Sequence, residues 1–277
     1  TSTLLRQIPT GAIAETLPRN ILDRLCMVSL DEALRAAHYP STSNELTQAN
    51  YRLKFEELFY VQLSVLRYAR FRQGTIRGHV FSRVGENFNY FYSNNLPFQL
   101  TEAQKRVIRE MHADMKSGKQ MNRLVQGDVG SGKTIVAILA IFMCVMNHGQ
   151  AAFMAPTEIL AEQHYNTLSK FFDGTDINVI LLTGSMKESQ KKNARRYIED
   201  GTAQIIVGTH ALITDKTVFN NLALAITDEQ HRFGVAQRTK LLSKGKSVHL
   251  LVMSATPIPR TMGLVLYGDL DVSIIDV

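Results

Sequence analysis

The chain contains no tryptophan and only two cysteines, Cys26 and Cys144, in 277 residues. Two cysteines so far apart, each in apolar surroundings, favour buried thiols of a reducing compartment over a disulfide framework. No group of cysteines and histidines in the sequence has the spacing of a zinc site. The longest apolar run, residues 135–146, is too short to cross a bilayer, and no segment resembles a secretory leader. We therefore expect neither a disulfide-rich secreted protein nor a membrane partner.

An excess of one charge is present but modest. The chain has 31 basic and 25 acidic residues, a formal net charge of +6 and a pI near 9.3. The basic excess is spread along the chain and not concentrated in a tail. It is compatible with a polyanionic partner but does not by itself require one.

The most informative segment, residues 127–134, reads G-D-V-G-S-G-K-T and matches the phosphate-loop pattern G-x-x-x-x-G-K-[ST] in full. Its members are Gly127, Asp128, Val129, Gly130, Ser131, Gly132, Lys133 and Thr134. A short apolar strand is predicted before the loop and an apolar helix after it. The backbone N–H groups of the loop and the N-terminus of this helix are therefore suited to bind phosphate. We expect Lys133 to reach the β- and γ-phosphates of ATP and Thr134 to offer its hydroxyl to Mg²⁺.

A second motif, residues 228–231, reads D-E-Q-H and follows an apolar run at 222–226 that is typical of a buried strand. Asp228 is suited to hold magnesium, and Glu229 to orient or deprotonate an attacking water. Taken alone, two solvated acids in a loop are an open alternative. Together with the phosphate loop, the motif indicates nucleotide hydrolysis.

From residue 96 onward, strand and helix patterns alternate, which predicts an α/β fold with a mainly parallel sheet and helices on both faces. We expect strands near 123–126, 151–154, 179–182, 204–207, 222–226, 249–253 and 271–275. Gly149 and Gly201 are expected to end helices in the left-handed conformation. A Thr101-x-x-Gln104 capping box opens the first helix of this region. Because ligands bind at the carboxyl ends of parallel strands, the motifs are expected to meet at one edge.

Residues 1–95 have a different, helical character. Capping boxes at Ser29-x-x-Glu32 and Thr42-x-x-Glu45 predict a short helix and then a long one that runs to about residue 72. An apolar stripe on the long helix is expected to face a core. Its members are Leu46, Ala49, Leu53, Leu58, Val61 and Leu66. We expect a domain boundary between 95 and 96.

Small and hydroxyl residues follow several of the predicted strands. They are Pro156, Thr157, Glu158, Thr183, Gly184, Ser185, Thr209, His210, Ser254, Ala255 and Thr256. Singly, each group is more typical of a helix cap than of a nucleic-acid contact. In succession beside a phosphate loop, they predict donors to consecutive phosphates of a DNA strand.

This set of motifs resembles the N-terminal, RecA-like motor lobe of superfamily 2 helicases. The strings at 126–134, 228–235 and 253–261 resemble those of the RecG family of bacterial branched-DNA helicases, and residues 13–70 resemble that family's connection between wedge domain and motor. The motor of the transcription-repair coupling factor shares several strings, but Gln126 and Gln230 favour the RecG family. A DNA-docking module without hydrolysis and a metabolic P-loop kinase are further alternatives.

The resemblance implies ATP-driven remodelling of branched double-stranded DNA in repair and recombination, by a monomer in the bacterial cytoplasm. It implies that Gln104 reads adenine, although helix capping explains this residue equally well. Phe98 would stack on the base or merely staple the helix. Gln230, His231, Ser254, Ala255 and Thr256 would couple nucleotide state to DNA, with a packed core histidine as the alternative for His231. We also expect the chain to be an excised fragment that lacks the wedge domain and the second motor lobe. Alone it should hydrolyse ATP negligibly, because the arginine that completes the ATP site belongs to the second lobe.

Overall fold

Seven parallel strands form one sheet among the residues that the computed structural model describes, which are 7–75, 77–83, 85, 88, 91, 93, 96, 98–228, 235–256 and 270–276. The strands are β1 (Asn122–Gly127), β2 (Gln150–Met154), β3 (Val179–Leu182), β4 (Ile205–Gly208), β5 (Leu222–Thr227), β6 (His249–Ser254) and β7 (Asp271–Ile275). Their order in the sheet is β3-β4-β2-β5-β6-β1-β7, and every pairing is parallel. Each of the seven predicted strands is confirmed, and so is the parallel α/β fold.

Helices connect these strands and precede them. They are α1 (Arg19–Leu25), α2 (Leu30–His38), α3 (Ser43–Thr75), α4 (Glu102–Lys116), α5 (Lys133–Met146), α6 (Glu158–Phe171), α7 (Glu188–Glu199) and α8 (Val235–Leu242), with a 3₁₀ turn at His210–Ile213. None of the helices in these described ranges is long and apolar enough to cross a membrane. The chain divides into two compact units between Tyr68 and Ala69, within α3. The described residues 77–83 thus belong to the second unit, whereas the boundary expected from the sequence lies between residues 95 and 96.

The second unit has its core around α5. Every residue from Ile135 to Val145 is buried, which explains why this helix is apolar on all sides. Phe142 stacks on Phe91 with ring centroids 4.3 Å apart, and Phe91 stacks in turn on Phe172 at 5.5 Å. Strands β1, β2, β4, β5 and β6 are buried along their whole length, as expected for a parallel sheet covered by helices.

The first unit contains a buried arginine paired with two carboxylates, and only part of the predicted apolar stripe is buried. Arg52 on α3 is fully buried and donates to Glu15 at 2.5 Å and to Glu56 at 2.7 Å. Two carboxylates offset the cost of burying the guanidinium. The expectation that the whole stripe packs in a core is wrong, because Leu58, Val61 and Leu66 are 40–57% exposed.

The predicted helix ends are mostly confirmed. Ser29 and Thr101 both form reciprocal capping boxes. Gly201 has a φ of 80°, as predicted, but the prediction for Gly149 is wrong, because the preceding residue, His148, takes the left-handed conformation with a φ of 60°. Gly149 is needed for space instead, since a Cβ there would lie 2.6 Å from the Ala223 Cβ.

The expectation of two buried thiols holds for only one of them. Cys144 is buried within α5, and burial raises the pKa of its thiol. Cys26 is exposed and ends α1 with a φ of 49°, so the expectation is wrong for this residue.

Candidate functional site

The order of the strands divides the predicted site into two neighbouring halves. The phosphate loop begins at the last residue of β1, the segment 254–256 begins at the last residue of β6, and Asp228 follows β5, so these three segments lie side by side. The loops that begin at Thr183, Thr209 and Ala155 follow β3, β4 and β2, the three strands beyond β5. All of them end at the carboxyl edge of one parallel sheet. The candidate nucleotide residues are thus gathered on one half and the candidate DNA residues on the other.

The phosphate loop has the backbone that its glycines permit. Gly130 and Gly132 have φ values of 87° and 83°, in the left-handed region that other residues rarely adopt. Gly132 is the residue at which α5 begins, and no side chain caps that helix and no acid occupies its first turn. The N-terminus of α5 therefore keeps the positive end of its dipole without a neutralising carboxylate. This fits a phosphate group.

Lys133 and Ser131 also fit a nucleotide. The Lys133 Nζ donates to the backbone oxygens of Gly127 at 2.7 Å and Asp128 at 2.8 Å, so the ammonium is folded onto the loop itself. The Ser131 Oγ is buried and has no hydrogen-bond partner among the described residues. A buried hydroxyl without a partner is costly, and a phosphate oxygen would satisfy it.

Gln104 on α4 connects the preceding helix to this loop. Its Nε2 donates to the Ser131 oxygen at 2.9 Å, and its Oε1 accepts from the Thr101 N–H at 3.0 Å. A Cβ on Gly132 would lie only 2.3 Å from the Gln104 Nε2, so this glycine also makes room for the amide. Gln104 thus forms the capping box and braces the phosphate loop, and its proposed reading of adenine stays a prediction. Phe98 is half exposed.

Asp228 follows β5 and is held from two sides. Its backbone N–H donates to the Met154 oxygen at 3.1 Å, and its Oδ2 lies 2.8 Å from the His164 Nε2 on α6. Only β6 separates β5 from β1, which places Asp228 roughly 10 Å across the sheet from the phosphate loop. No cluster of three or more histidine, cysteine, aspartate or glutamate side chains that could hold a metal occurs among the described residues. An aspartate that follows β5, near a phosphate loop, fits Mg²⁺, which binds through one or two carboxylates together with phosphate and water.

Three predicted site residues, Glu229, Gln230 and His231, lie outside the residues that the structure describes. Their roles remain predictions. The described chain resumes at α8, whose Gln237 places its Nε2 2.8 Å from the Nε2 of His210.

The segment after β6 connects directly to the start of the phosphate loop. The Gln126 Nε2 donates to the Thr256 oxygen at 3.0 Å, and the hydroxyls of Ser254 and Thr256 lie 3.0 Å apart. Ser254 is buried, while Ala255 and Thr256 are partly or fully exposed. These contacts bring the predicted coupling residues Ser254, Ala255 and Thr256 next to the nucleotide half, as their assigned role requires.

The predicted DNA residues on the other half contact one another. The Glu158 carboxylate accepts from the Ser185 N–H at 2.9 Å, and its hydrogen bonds to Ser185 lower the pKa of Glu158. Gly184 is close enough that a Cβ there would lie 3.1 Å from the Glu158 Oε1. Glu158 therefore organises the loop after β3, which explains an acidic residue among candidate phosphate contacts.

The remaining members of this half have mixed environments. Thr157 caps α6, since its hydroxyl accepts from the Leu160 N–H at 3.3 Å, and Pro156 beside it is half-buried. Thr183 and Thr209 are buried, whereas His210 is exposed at the start of the 3₁₀ turn. The structure brings these loops together at one edge of the sheet and leaves their contact with DNA a prediction.

Sequence reasoning missed His164. It lies three residues after Ala161 and four before Leu168, and both of these are buried. The spacing therefore places the imidazole on the face of α6 that packs inward, which is the signal that was available. Gln126 was noticed as a family marker, but its hydrogen bond to Thr256 has no sequence signature.

The family model described as DEAD/DEAH box helicase matches residues 101–264, which is more than half of the chain and includes the phosphate loop, Asp228 and the segment after β6. The chain belongs to the DEAD/DEAH box helicase family. The RecA-like lobe expected from the motifs is thereby confirmed.

Several relatives are named as ATP-dependent DNA helicase RecG. The chain is 44% identical over 270 residues to the ATP-dependent DNA helicase RecG of Synechocystis sp., covering 98% of this chain and 32% of the relative. It is 48% identical over 266 residues to the RecG of Streptococcus pneumoniae, covering 95% and 39%. A structure of RecG bound to a three-way DNA junction superposes with a TM-score of 0.80 at 43% identity, covering 95% of this chain and 35% of that one. The resemblance to RecG is confirmed, and the chain spans about a third of the relatives' length.

Proposed function

We propose that this chain is the ATP-binding motor lobe of a DNA helicase that remodels branched double-stranded DNA in repair and recombination. The observation that carries the proposal is the placement of the phosphate loop, Asp228 and the coupling segment side by side after β1, β5 and β6. The strand-end loops of the other half provide a surface for a nucleic-acid strand.

In the nucleotide half, ATP with Mg²⁺ supplies a phosphoryl group whose transfer to water releases the free energy that the motor uses. Lys133 and the N–H groups at the start of α5 would hold the phosphates, and Thr134 and Asp228 would hold the ion. Glu229 would orient or deprotonate the water. Gln126, through Thr256, would relate the state of the phosphate loop to the segment after β6.

In the DNA half, backbone N–H groups and hydroxyls of the loops after β2, β3 and β4 would contact consecutive phosphates. Branched DNA is proposed because the chain is 43% identical to a RecG whose structure was determined with a three-way junction. A duplex translocase of the transcription-repair coupling type and a docking module without hydrolysis are the alternatives that the experiment below separates.

The organisation of the chain belongs to the same proposal. Residues 1–95 would form a helical connector between a wedge domain and the motor, and residues 96–277 the motor lobe. The protein would act as a monomer in the bacterial cytoplasm; its relatives in bacteria support the bacterial part of this proposal.

The test is ATP turnover by the complete protein that carries this chain, with forked DNA, linear duplex and single strands compared at one salt concentration. Salt is fixed because phosphate contacts make DNA affinity steeply salt-dependent. We expect strong stimulation by forks, lost in Glu229→Gln with nucleotide binding retained, and lost together with nucleotide binding in Lys133→Ala. Equal stimulation by linear duplex would favour the coupling-factor type, and no stimulation by any DNA would refute the helicase assignment.

A further inference from the structure

The His164 imidazole lies between the two halves of the site. It projects from α6, which begins after β2, and its Nε2 lies 2.8 Å from the Oδ2 of Asp228, which follows β5. Both side chains are largely shielded from solvent, with 12% and 16% exposure. Because water is largely excluded here, the hydrogen bond between the imidazole and the carboxylate is stronger than it would be on an exposed surface.

The ring is held in place by packing as well. Its centroid lies 4.3 Å from that of Phe153 on β2, a side chain that is fully buried. Ala161 and Leu168, one turn away on either side along α6, are also buried. Because the ring packs between β2 and the buried face of α6, a hydrogen bond from it favours one orientation of the Asp228 carboxylate.

We propose that His164 is a positioning residue for the magnesium-binding carboxylate of Asp228, a role that rests on the proposed ATP site. An Nε2–H donated to Oδ2 fixes the plane of the carboxylate that would bind the ion. Hydrogen-bond partners behind a metal ligand typically contribute 10- to 100-fold to metal affinity.

A purely structural histidine is the competing explanation, and substitutions separate the two. His164→Phe keeps an aromatic ring against Phe153 but has no donor for Asp228. His164→Gln replaces the ring but can place an amide N–H near the position of Nε2. Gln163→Ala changes an exposed neighbour on the same helix and serves as the matched control.

The experiment measures the affinity of the 277-residue chain for a fluorescent ADP analogue while Mg²⁺ is titrated, and repeats it with EDTA. For His164→Phe we expect a 10- to 100-fold higher Mg²⁺ concentration at half saturation, with unchanged affinity in EDTA and an unchanged thermal midpoint without magnesium. His164→Gln should restore most of the magnesium response, and Gln163→Ala should match the unsubstituted chain.

Two results would overturn the proposal in distinguishable ways. If the unsubstituted chain binds nucleotide with a clear magnesium dependence and His164→Phe shows the same dependence, the positioning role is wrong and the ATP site stands. If the unsubstituted chain binds no nucleotide with or without magnesium, both the site and the role fall together.

Discussion

Gln104 offers a test of how α4 and the phosphate loop depend on each other. Replacing it by alanine removes two hydrogen bonds, one to the Ser131 oxygen and one from the Thr101 N–H. Thr101→Ala is the matched variant, because it breaks the same capping box through the Thr101 hydroxyl, 3.2 Å from the Gln104 N–H, without touching the loop.

The magnitudes follow from counting bonds. Each hydrogen bond contributes about 1 kcal/mol, so Gln104→Ala should cost about 2 kcal/mol of stability and Thr101→Ala about 1 kcal/mol. For a unit of this size, 1 kcal/mol lowers the unfolding midpoint by about 2–4 °C. The bond to the Ser131 oxygen alone acts on the phosphate loop, and its loss should weaken nucleotide binding about fivefold.

The assay combines thermal unfolding with titration of fluorescent ATP and GTP analogues. We expect both variants to unfold earlier, but only Gln104→Ala to bind nucleotide more weakly, and by the same factor for ATP and GTP. Equal affinity losses in the two variants would show that bracing of the loop is not what Gln104 contributes. A loss confined to ATP would show instead that Gln104 reads adenine.

Two further predictions concern the sheet. Gly208→Ala should lower the unfolding midpoint by several degrees in a thermal melt, because its Cβ would lie 2.1 Å from the Leu182 oxygen and force β4 away from β3. Gly85→Ala is the control and should have little effect, since no described atom lies within 4 Å of the Cβ position there. Similar melting of both variants would contradict this account. Burial lowers the pKa of His249 from 6.5 to about 4, so stability should be retained above pH 6.5 and fall by roughly 3 kcal/mol as the pH drops to 4. Urea unfolding across that range should show the loss, and His249→Gln should show a shallower one; parallel curves would assign the acid sensitivity to other groups.

The positions of the strands could be predicted because most of them contain a short, continuous apolar run. β5 is an example: Leu222–Thr227 is a short apolar run that is buried at every position, as expected for a strand in the middle of a parallel sheet. The phosphate loop was equally accessible, since glycine spacing and the following helix are local properties. Local rules of this kind placed the Thr101 and Ser29 caps as well.

The contacts that cross the molecule could not be predicted. Buried Arg52 forms ion pairs with Glu15, which is far away in sequence, and with Glu56, one helical turn away. Helical periodicity alone assigns the core positions of this helix to apolar residues instead. Likewise, Gly149 was expected to take the left-handed conformation that His148 adopts, because the close approach of Ala223 is not visible in a local pattern. The same limit concealed the contact between His164 and Asp228.

The place of β1 in the sheet has a consequence for the nascent chain. The two neighbours of β1 are β6 and β7, the last two strands in the sequence. While a ribosome is still synthesising the middle of this lobe, the strand that carries the phosphate loop has neither of its hydrogen-bonding partners. Arg106 on α4 likewise cannot form its hydrogen bond to the Ile274 oxygen until β7 has been synthesised. The sheet around the phosphate loop is therefore completed only after β6 and β7 have been synthesised, so a chain interrupted before β7 would carry this loop on a strand that lacks a neighbour.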